Sequence, residues 1–279
     1  MFAYTTDRAA FIDRIVLNAW SADGTFRVAR GKLEHEKNRP ILGKGQLYSW
    51  CLSGNWGVTG NPILIVRGRT KRFPNVPLAQ ITFRSEAVPL TGAQVAVAIT
   101  ELLGAGANVD VSMLELTFDT ERTAWWRLRQ EAVHRARSWR VLTDGGGRRT
   151  LYAGSRFSDT QVRIYQKTET LVRMEFVLRR GYLRSFDITH PSDVVWLRSG
   201  HVWELLSLRS CSAERVWAAT GSWWRNPYGR KLMCQWRQRG LPNQLLASSL
   251  RKGGVDPSRV LIKSRRQRFF EEMLEALIW

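Results

Sequence analysis

The stretch RRTLYAGSRFSDTQVRIYQKTETLVRMEFVLRRG, Arg148–Gly181, decides how this chain folds. It holds three runs rich in β-branched and aromatic residues, RRTLYAGSR, TQVRIYQK and LVRMEFVLRRG, joined by short polar connections. Such runs read as strands, and FSD between the first two is short enough for a hairpin. Side chains alternate along a strand. In TQVRIYQK, Arg163, Tyr165 and Lys167 therefore share one face, with Val162 and Ile164 on the other. In LVRMEFVLRR, Arg173 and Glu175 oppose Val172, Met174, Phe176 and Leu178. Each strand is apolar toward one side and polar toward the other.

The same pattern extends upstream. NVDVSMLELTFD sets Glu115, Thr117 and Asp119 against Leu114, Leu116 and Phe118. Before it, TGAQVAVAITELLGAG reads as a helix, with Thr91 as N-cap, Val95, Ile99 and Leu102 at helical spacing and Gly104 as the stop. LYSWCLSGNWGVTG, NPILIVRG and LAQITFRS read as further strands. AAFIDRIVLNAW reads as a short helix, and ADGTFRVARGKLEHEKNRP as polar loop. ERTAWWRLRQEAVHRARSW carries Trp125, Leu128, Ala132 and Ala136 in one stripe, the pattern of an amphipathic helix. Past residue 200 the strand pattern fades: HVWELLSL, AERVWAATGSWW and RRQRFFEEMLEALIW read as helical, with turns at NPYGRK and LPNQ. The expected architecture is α+β, a largely antiparallel sheet with helices on one face. It divides into an N-terminal segment (1–45), a central domain (46–200) and a helical C-terminal subdomain (201–279).

Composition narrows the partners. Lys and Arg number 43 against 24 Asp and Glu, a net charge of +19. A folded protein this basic repels itself unless something anionic neutralises it, and nucleic acid does so with release of counterions. A membrane is not expected as partner: the apolar runs near Pro62–Val66 and Gln94–Leu103 are too short to span one. Cys51, Cys211 and Cys234 are far apart and form no CxxC pair, so neither a zinc knuckle nor a disulfide framework is indicated. MFAYTTDRAAF lacks the basic-then-apolar pattern of a signal peptide. The expected compartment is therefore the reducing cytoplasm.

If the three polar strand faces adjoin, they gather carboxylates, a tyrosine and cations on one side of the sheet. That set fits phosphodiester transfer: carboxylates bind Mg²⁺ or Mn²⁺, a tyrosine hydroxyl attacks phosphorus, and Arg163 and Lys167 stabilise the developing charge. The competing reading is a solvated face with Glu–Arg pairs across strands.

The motifs in this region resemble the replication initiation factor family, the rolling-circle initiators of small plasmids and filamentous phages with related relaxases of integrative elements. The resemblance rests on Tyr152, Gly154, Ser155, Arg156, Ser158 and Asp159 as a Y-x-G-S-R-x-S-D stretch, then Arg163, Tyr165 and Lys167 as R-x-Y-x-K, then Arg173 and Glu175 as R-x-E. Upstream, MLELTFD is similar to the family's acidic strand, with Glu115 where aspartate is more usual and Asp119 kept. It covers about residues 85 to 185. It implies metal-dependent nicking and joining of one DNA strand at a replication origin, single-stranded or cruciform at the nick site, through a 5′-phosphotyrosyl intermediate. A host replication helicase and a second copy of the chain are further candidate partners. It also implies a sheet like that of the His-hydrophobe-His nucleases. This chain has no His-x-His pair, since His35, His134, His190 and His201 are scattered, so metal ligation falls to carboxylates.

Tyr165 is the first candidate nucleophile, because two cations on its face would lower its pKa; Tyr152, on a face with Gly154 and Arg156, is the second. Glu115, Asp119 and Glu175 are the candidate metal ligands. Glu115 and Asp119 lie about 13 Å apart on a regular strand, so one of them is expected to join Glu175, and Asp119 competes as an N-cap for the next helix. Candidate DNA contacts are Arg156 and Arg173, then Arg225, Arg230 and Lys231 in the aromatic-cationic run SWWRNPYGRKLMCQWRQRG, and Arg265 and Arg266 at the start of the last helix. A relaxase would use the same chemistry. A non-catalytic DNA-binding regulator on the same fold is the rival class. A tyrosine recombinase is disfavoured, for no Arg–His-x-x-Arg–Tyr order occurs.

Overall fold

The computed structural model describes residues 8–20, 27–40, 47–57, 59–68, 72–86, 88–121, 125–136, 138–210 and 243–278. Its spine is an antiparallel sheet of ten strands. In spatial order these are β2 (Leu33–Pro40), β3 (Tyr48–Trp56), β4 (Asn61–Gly68), β5 (Ala79–Arg84), β1 (Arg8–Trp20), β6 (Asn108–Glu121), β11 (Leu171–Arg179), β10 (Thr160–Gln166), β9 (Arg149–Ala153) and β8 (Trp139–Thr143). The sequence alternation is realised in the register: Glu175 lies opposite both Thr117 and Arg163, and Arg173 opposite both Asp119 and Tyr165.

The segment expected as a first short helix is instead β1, a central strand between β5 and β6. Its residues Ile15 to Ala19 are all buried. A strand buried on both faces loses its polar-apolar alternation, so periodicity does not separate it from a buried helix. Two register shifts, between Ile12 and Arg14 and between Val16 and Leu17, blur the period further. The expected loop before Pro40 likewise contains β2, an edge strand where Pro40 is tolerated.

Helices cover the apolar side. α1 (Gly92–Leu103) starts at a Thr91–Gln94 capping box and stops at Gly104, as its sequence predicts. α2 (Trp125–Glu131) is shorter than its apolar stripe suggested, because the chain turns at Ala132 into β7 (Ala132–His134). Leu206–Leu208, expected as the end of a helix, instead open strand β12 (Leu206–Ser210); the helical part of that run is α4 (Ser199–Trp203), which follows α3 (Arg180–Arg184). β7, β12 and β13 (Ile262–Lys263) form a second, small sheet. The backbone bonds that would have continued both helices are made across these strands. α5 (Asn243–Lys252) and α6 (Arg265–Ile278) complete the described helices, and no helix among the described residues is long and apolar enough to cross a membrane.

One apolar cluster joins Ile12, Ile15 and Leu17 of β1, Leu114, Leu116 and Phe118 of β6, Met174 and Phe176 of β11, Val95 and Ile99 of α1, Trp203 of α4, and Phe270 and Leu274 of α6. At its centre Phe118 meets Phe176, Trp203 and Phe270 with ring centroids 5.6, 5.2 and 5.2 Å away. β1 and α6 therefore contribute to the same apolar layer as the middle of the chain, and Glu115, Thr117, Asp119, Arg163, Tyr165, Arg173 and Glu175 project from the opposite face of β6, β11 and β10. Phe270→Ala is expected to cost about 3–5 kcal/mol, as for other fully buried aromatic residues, read as a lower denaturation midpoint for the whole domain.

Candidate functional site

The polar face of the four neighbouring strands β1, β6, β11 and β10 carries the cluster. Glu115 and Glu175 are buried on it, and Asp13 is partly buried. One carboxylate oxygen from each of Asp13, Glu115 and Glu175 lies within 4.8 Å of the others. Asp13 falls at the first register shift of β1, where Ile12 pairs with Leu116 and Arg14 with Glu115. The extra residue in the shift is what adds an acid to this face.

Arginines hold the charges. Arg14 donates to Glu115 Oε2 from Nε at 2.8 Å and from Nη2. Arg163 Nη1 bridges the two glutamates, at 3.2 Å from Glu115 Oε1 and 3.2 Å from Glu175 Oε2. Tyr165 Oη donates to the other oxygen of Glu175 at 2.5 Å. Burial raises the pKa of the Glu175 carboxyl; the Tyr165 hydrogen bond opposes this and the Glu115 charge adds to it. Burial also raises Asp13, against the lowering effect of Arg173 and with a further rise from Glu115.

The Tyr165 phenol moves the other way from expectation. Its pKa is raised well beyond the ordinary tyrosine range, first by burial and then by the hydrogen bond to Glu175 and that residue's charge; Arg173 opposes weakly. The cations flanking Tyr165 in sequence do not set its state, because Arg163 is engaged by Glu115 and Glu175 and Lys167 is exposed beyond the end of β10. At neutral pH the resting group is a phenol whose proton already points at a carboxylate.

The structure separates the candidates. Glu115, Glu175, Arg163 and Tyr165 come together. Asp119 does not join them: Arg173 grips it in a bidentate pair, Nε to Oδ1 and Nη2 to Oδ2, both at 2.7 Å. Arg173, expected on a DNA surface, is buried; it also lies 3.7 Å from Asp13 Oδ1 and stacks on Phe11. Its charge is directed inward, and Asp119 lies within β6. Tyr152 sits opposite Arg163 on β9, half-buried under the Arg140 guanidinium, with no hydrogen bond to the carboxylates. Arg156 and Arg265 are exposed. Arg266 is partly buried and pairs with Glu131 at 2.6 Å. Arg225, Arg230 and Lys231 lie outside the described residues.

The oxygen donors of Asp13, Glu115 and Glu175 form a hard-ligand set suited to Mg²⁺ or Mn²⁺. Thr117 Oγ1, buried on the same face, has no hydrogen-bond partner among the described residues. His190 is held by the turn it caps, and His201 stacks on Phe186 at 3.9 Å, so neither is a ligand in this arrangement.

A solved structure is similar to this chain. It is that of a rolling circle replication initiator protein from Geobacillus stearothermophilus, with a TM-score of 0.49 and 14% identity over 74% of this chain and 88% of that one. No family model matches the chain, and no curated protein does.

Asp13 and Arg14 are the site residues that sequence reasoning missed. Their signal was an adjacent acid and base inside the apolar run FIDRIVL, legible only once that run is taken as a strand. The Asp119–Arg173 pair offers a direct test of how this face is held. Asp119→Asn deprives a buried guanidinium of its bidentate carboxylate, leaving only Asp13 at 3.7 Å, and is expected to cost about 3 kcal/mol, measured as a shift in the urea midpoint.

Proposed function

We propose that this protein initiates rolling-circle DNA replication by nicking one strand, with Tyr165 as nucleophile. The observation that carries this reading is the 2.5 Å hydrogen bond from Tyr165 Oη to Glu175, at the edge of a three-carboxylate cluster on a strongly basic protein. The motif resemblance supports it independently.

In this mechanism the Tyr165 oxygen attacks phosphorus as its proton passes to Glu175. The raised pKa of Glu175 suits it to receive that proton. The bond between phosphorus and the 3′ oxygen breaks, that oxygen takes a proton from solvent water and leaves as a 3′ hydroxyl, the primer, and Glu175 gives the proton it received back to solvent. The 5′ phosphate stays on Tyr165 as an ester, and attack by a later hydroxyl reverses the steps and rejoins the strand. Arg163, 3.2 Å from both glutamates, stands where it can neutralise charge on the phosphate oxygens. Asp13, Glu115 and Glu175 would hold Mg²⁺ or Mn²⁺, which when bound supplies Lewis-acid polarisation of the phosphate. A relaxase of a mobile element would share every one of these groups.

Incubation with Mn²⁺ and supercoiled DNA from the parent replicon is expected to give a covalent protein–DNA adduct on a denaturing gel. Tyr165→Phe should reduce the adduct by about 10³-fold or more while leaving DNA binding within about twofold. Tyr152→Phe should retain it. An adduct that persists in Tyr165→Phe rejects the assignment.

The metal assignment has its own readout. The Asp13 and Glu175 pKa values lie above those of the unfolded chain. The folded protein therefore keeps these protons to higher pH, and a cation that needs the carboxylates must displace them. Mn²⁺ should raise the melting temperature more at about pH 7.5 than at about pH 5. Asp13→Asn should remove most of that increment.

A further inference from the structure

We propose that the outer edge of the sheet carries a pocket for one unpaired nucleotide of single-stranded DNA, built by the β8–β9 hairpin and the turn after it. The cavity is about 380 Å³ and is lined by Trp139, Arg140, Tyr152, Ser155, Arg156 and Phe157 among others. That is within the usual range for a small-molecule site.

The pocket pairs π-faces with cations. Phe157 is 81% exposed and Trp139 40% exposed. The Arg156 guanidinium lies 4.6 Å from the Phe157 ring centre and that of Arg140 5.3 Å from the Tyr152 ring centre. Neither Arg140 nor Arg156 has an ion-pair partner among the described residues.

The turn that presents Phe157 is firmly built. Gly154 turns the chain with φ +91°, where a Cβ would meet the Thr160 carbonyl oxygen at 2.8 Å. Its N–H donates to the Ser138 carbonyl at 3.0 Å. Ser158 Oγ donates to the Ser155 carbonyl at 2.7 Å, Phe157 N–H to Ser155 Oγ at 3.2 Å, and Arg179 Nη1 to the Ser158 carbonyl at 2.5 Å. An ordered turn thus holds a large aromatic ring in water beside the Arg156 guanidinium, in a pocket that Arg140 also lines.

That combination selects the ligand. Aromatic rings stack on a base only where the base has a free face, and in a duplex both faces are covered by neighbours. The arginines suit the phosphates on either side. An acidic protein segment would satisfy the arginines but leave the rings without a partner. The position fits the strand as well: Tyr152 pairs with Arg163 on the adjacent strand, and neighbouring strands are about 4.8 Å apart. The pocket therefore begins one strand away from Tyr165, within reach of a nucleotide close to the point of cleavage. That last point rests on the nicking reading; the pocket itself does not.

The test uses the full chain in EDTA, so that no cleavage enters, with a fluorescein-labelled oligothymidylate of about a dozen nucleotides and a duplex of the same length. Phe157→Ala and Arg156→Ala should each weaken single-strand binding by roughly tenfold. Duplex binding should change by less than about twofold, and Phe157→Trp should restore the single-strand affinity. An oligonucleotide carrying 5-iododeoxyuridine should photocrosslink to Phe157, Trp139 or Tyr152. Equal single-strand affinity in wild type and Phe157→Ala, or crosslinks confined to other regions, would overturn the pocket. So would polyglutamate binding as tightly as the oligonucleotide with the same loss in Phe157→Ala. A chain that forms no covalent adduct with any DNA but loses single-strand binding in Phe157→Ala would sink the nicking reading and leave the pocket standing.

Discussion

Carboxylates cannot be crowded away from water without a compensating positive charge, and the polar side of this sheet is arranged around that constraint. Glu115 and Glu175, with Asp13 beside them, sit where burial penalises ionisation. Arg14 and Arg163 answer two of the charges directly. Arg173 answers Asp119 and lies beside Asp13 as well. The four strands that supply these groups are held in register by the hydrogen-bonded ladder, and their opposite side chains are locked into the aromatic cluster around Phe118. The geometry of the acids is thus set by packing on the other face of the same strands.

This arrangement gives the tyrosine its character. A phenol beside free cations would be expected to lose its proton more readily. Tyr165 instead points its hydroxyl at a buried carboxylate and holds its proton more tightly than a free tyrosine. The proton and its acceptor are already placed together, so the chemistry proposed for the site begins with a short transfer along an existing hydrogen bond. The same logic assigns different work to two arginines that look alike in sequence. Arg163 stays partly exposed and is shared between two acids, while Arg173 is buried and gripped in a bidentate pair by Asp119.

Much of this was legible in the residues because strand alternation is a local property. The faces read from TQVRIYQK, LVRMEFVLRR and VSMLELTFD are those observed, and the Thr91 cap and Gly104 stop of the first helix lie where their chemistry puts them. Errors arose where burial or pairing overrode local pattern. β1 reads ambiguously because it is buried on both faces. Ala132–His134 and Leu206–Leu208 leave their helical patterns because each finds a strand partner in the other. The hairpin strand β8 went unread because the expected helix was carried through to Trp139, although the turn DGGG, with Asp144 bonded to the N–H groups of Gly146 and Arg148, follows closely.

By itself the sequence determined the fold class and the polar and apolar sides of the central strands, and it placed a tyrosine and glutamates on polar strand faces. The tertiary structure decided which acids meet. Glu115 and Asp119 share a face in any strand, but only the β1 register shift brings in Asp13, and only the approach of β11 hands Asp119 to Arg173. The physical reason is that side-chain direction follows from the backbone period of one strand. The partners of Glu115 and Asp119 come from farther off: Arg14 lies 101 positions from Glu115 and Arg173 lies 54 from Asp119, so which charges meet is settled only when the chain folds.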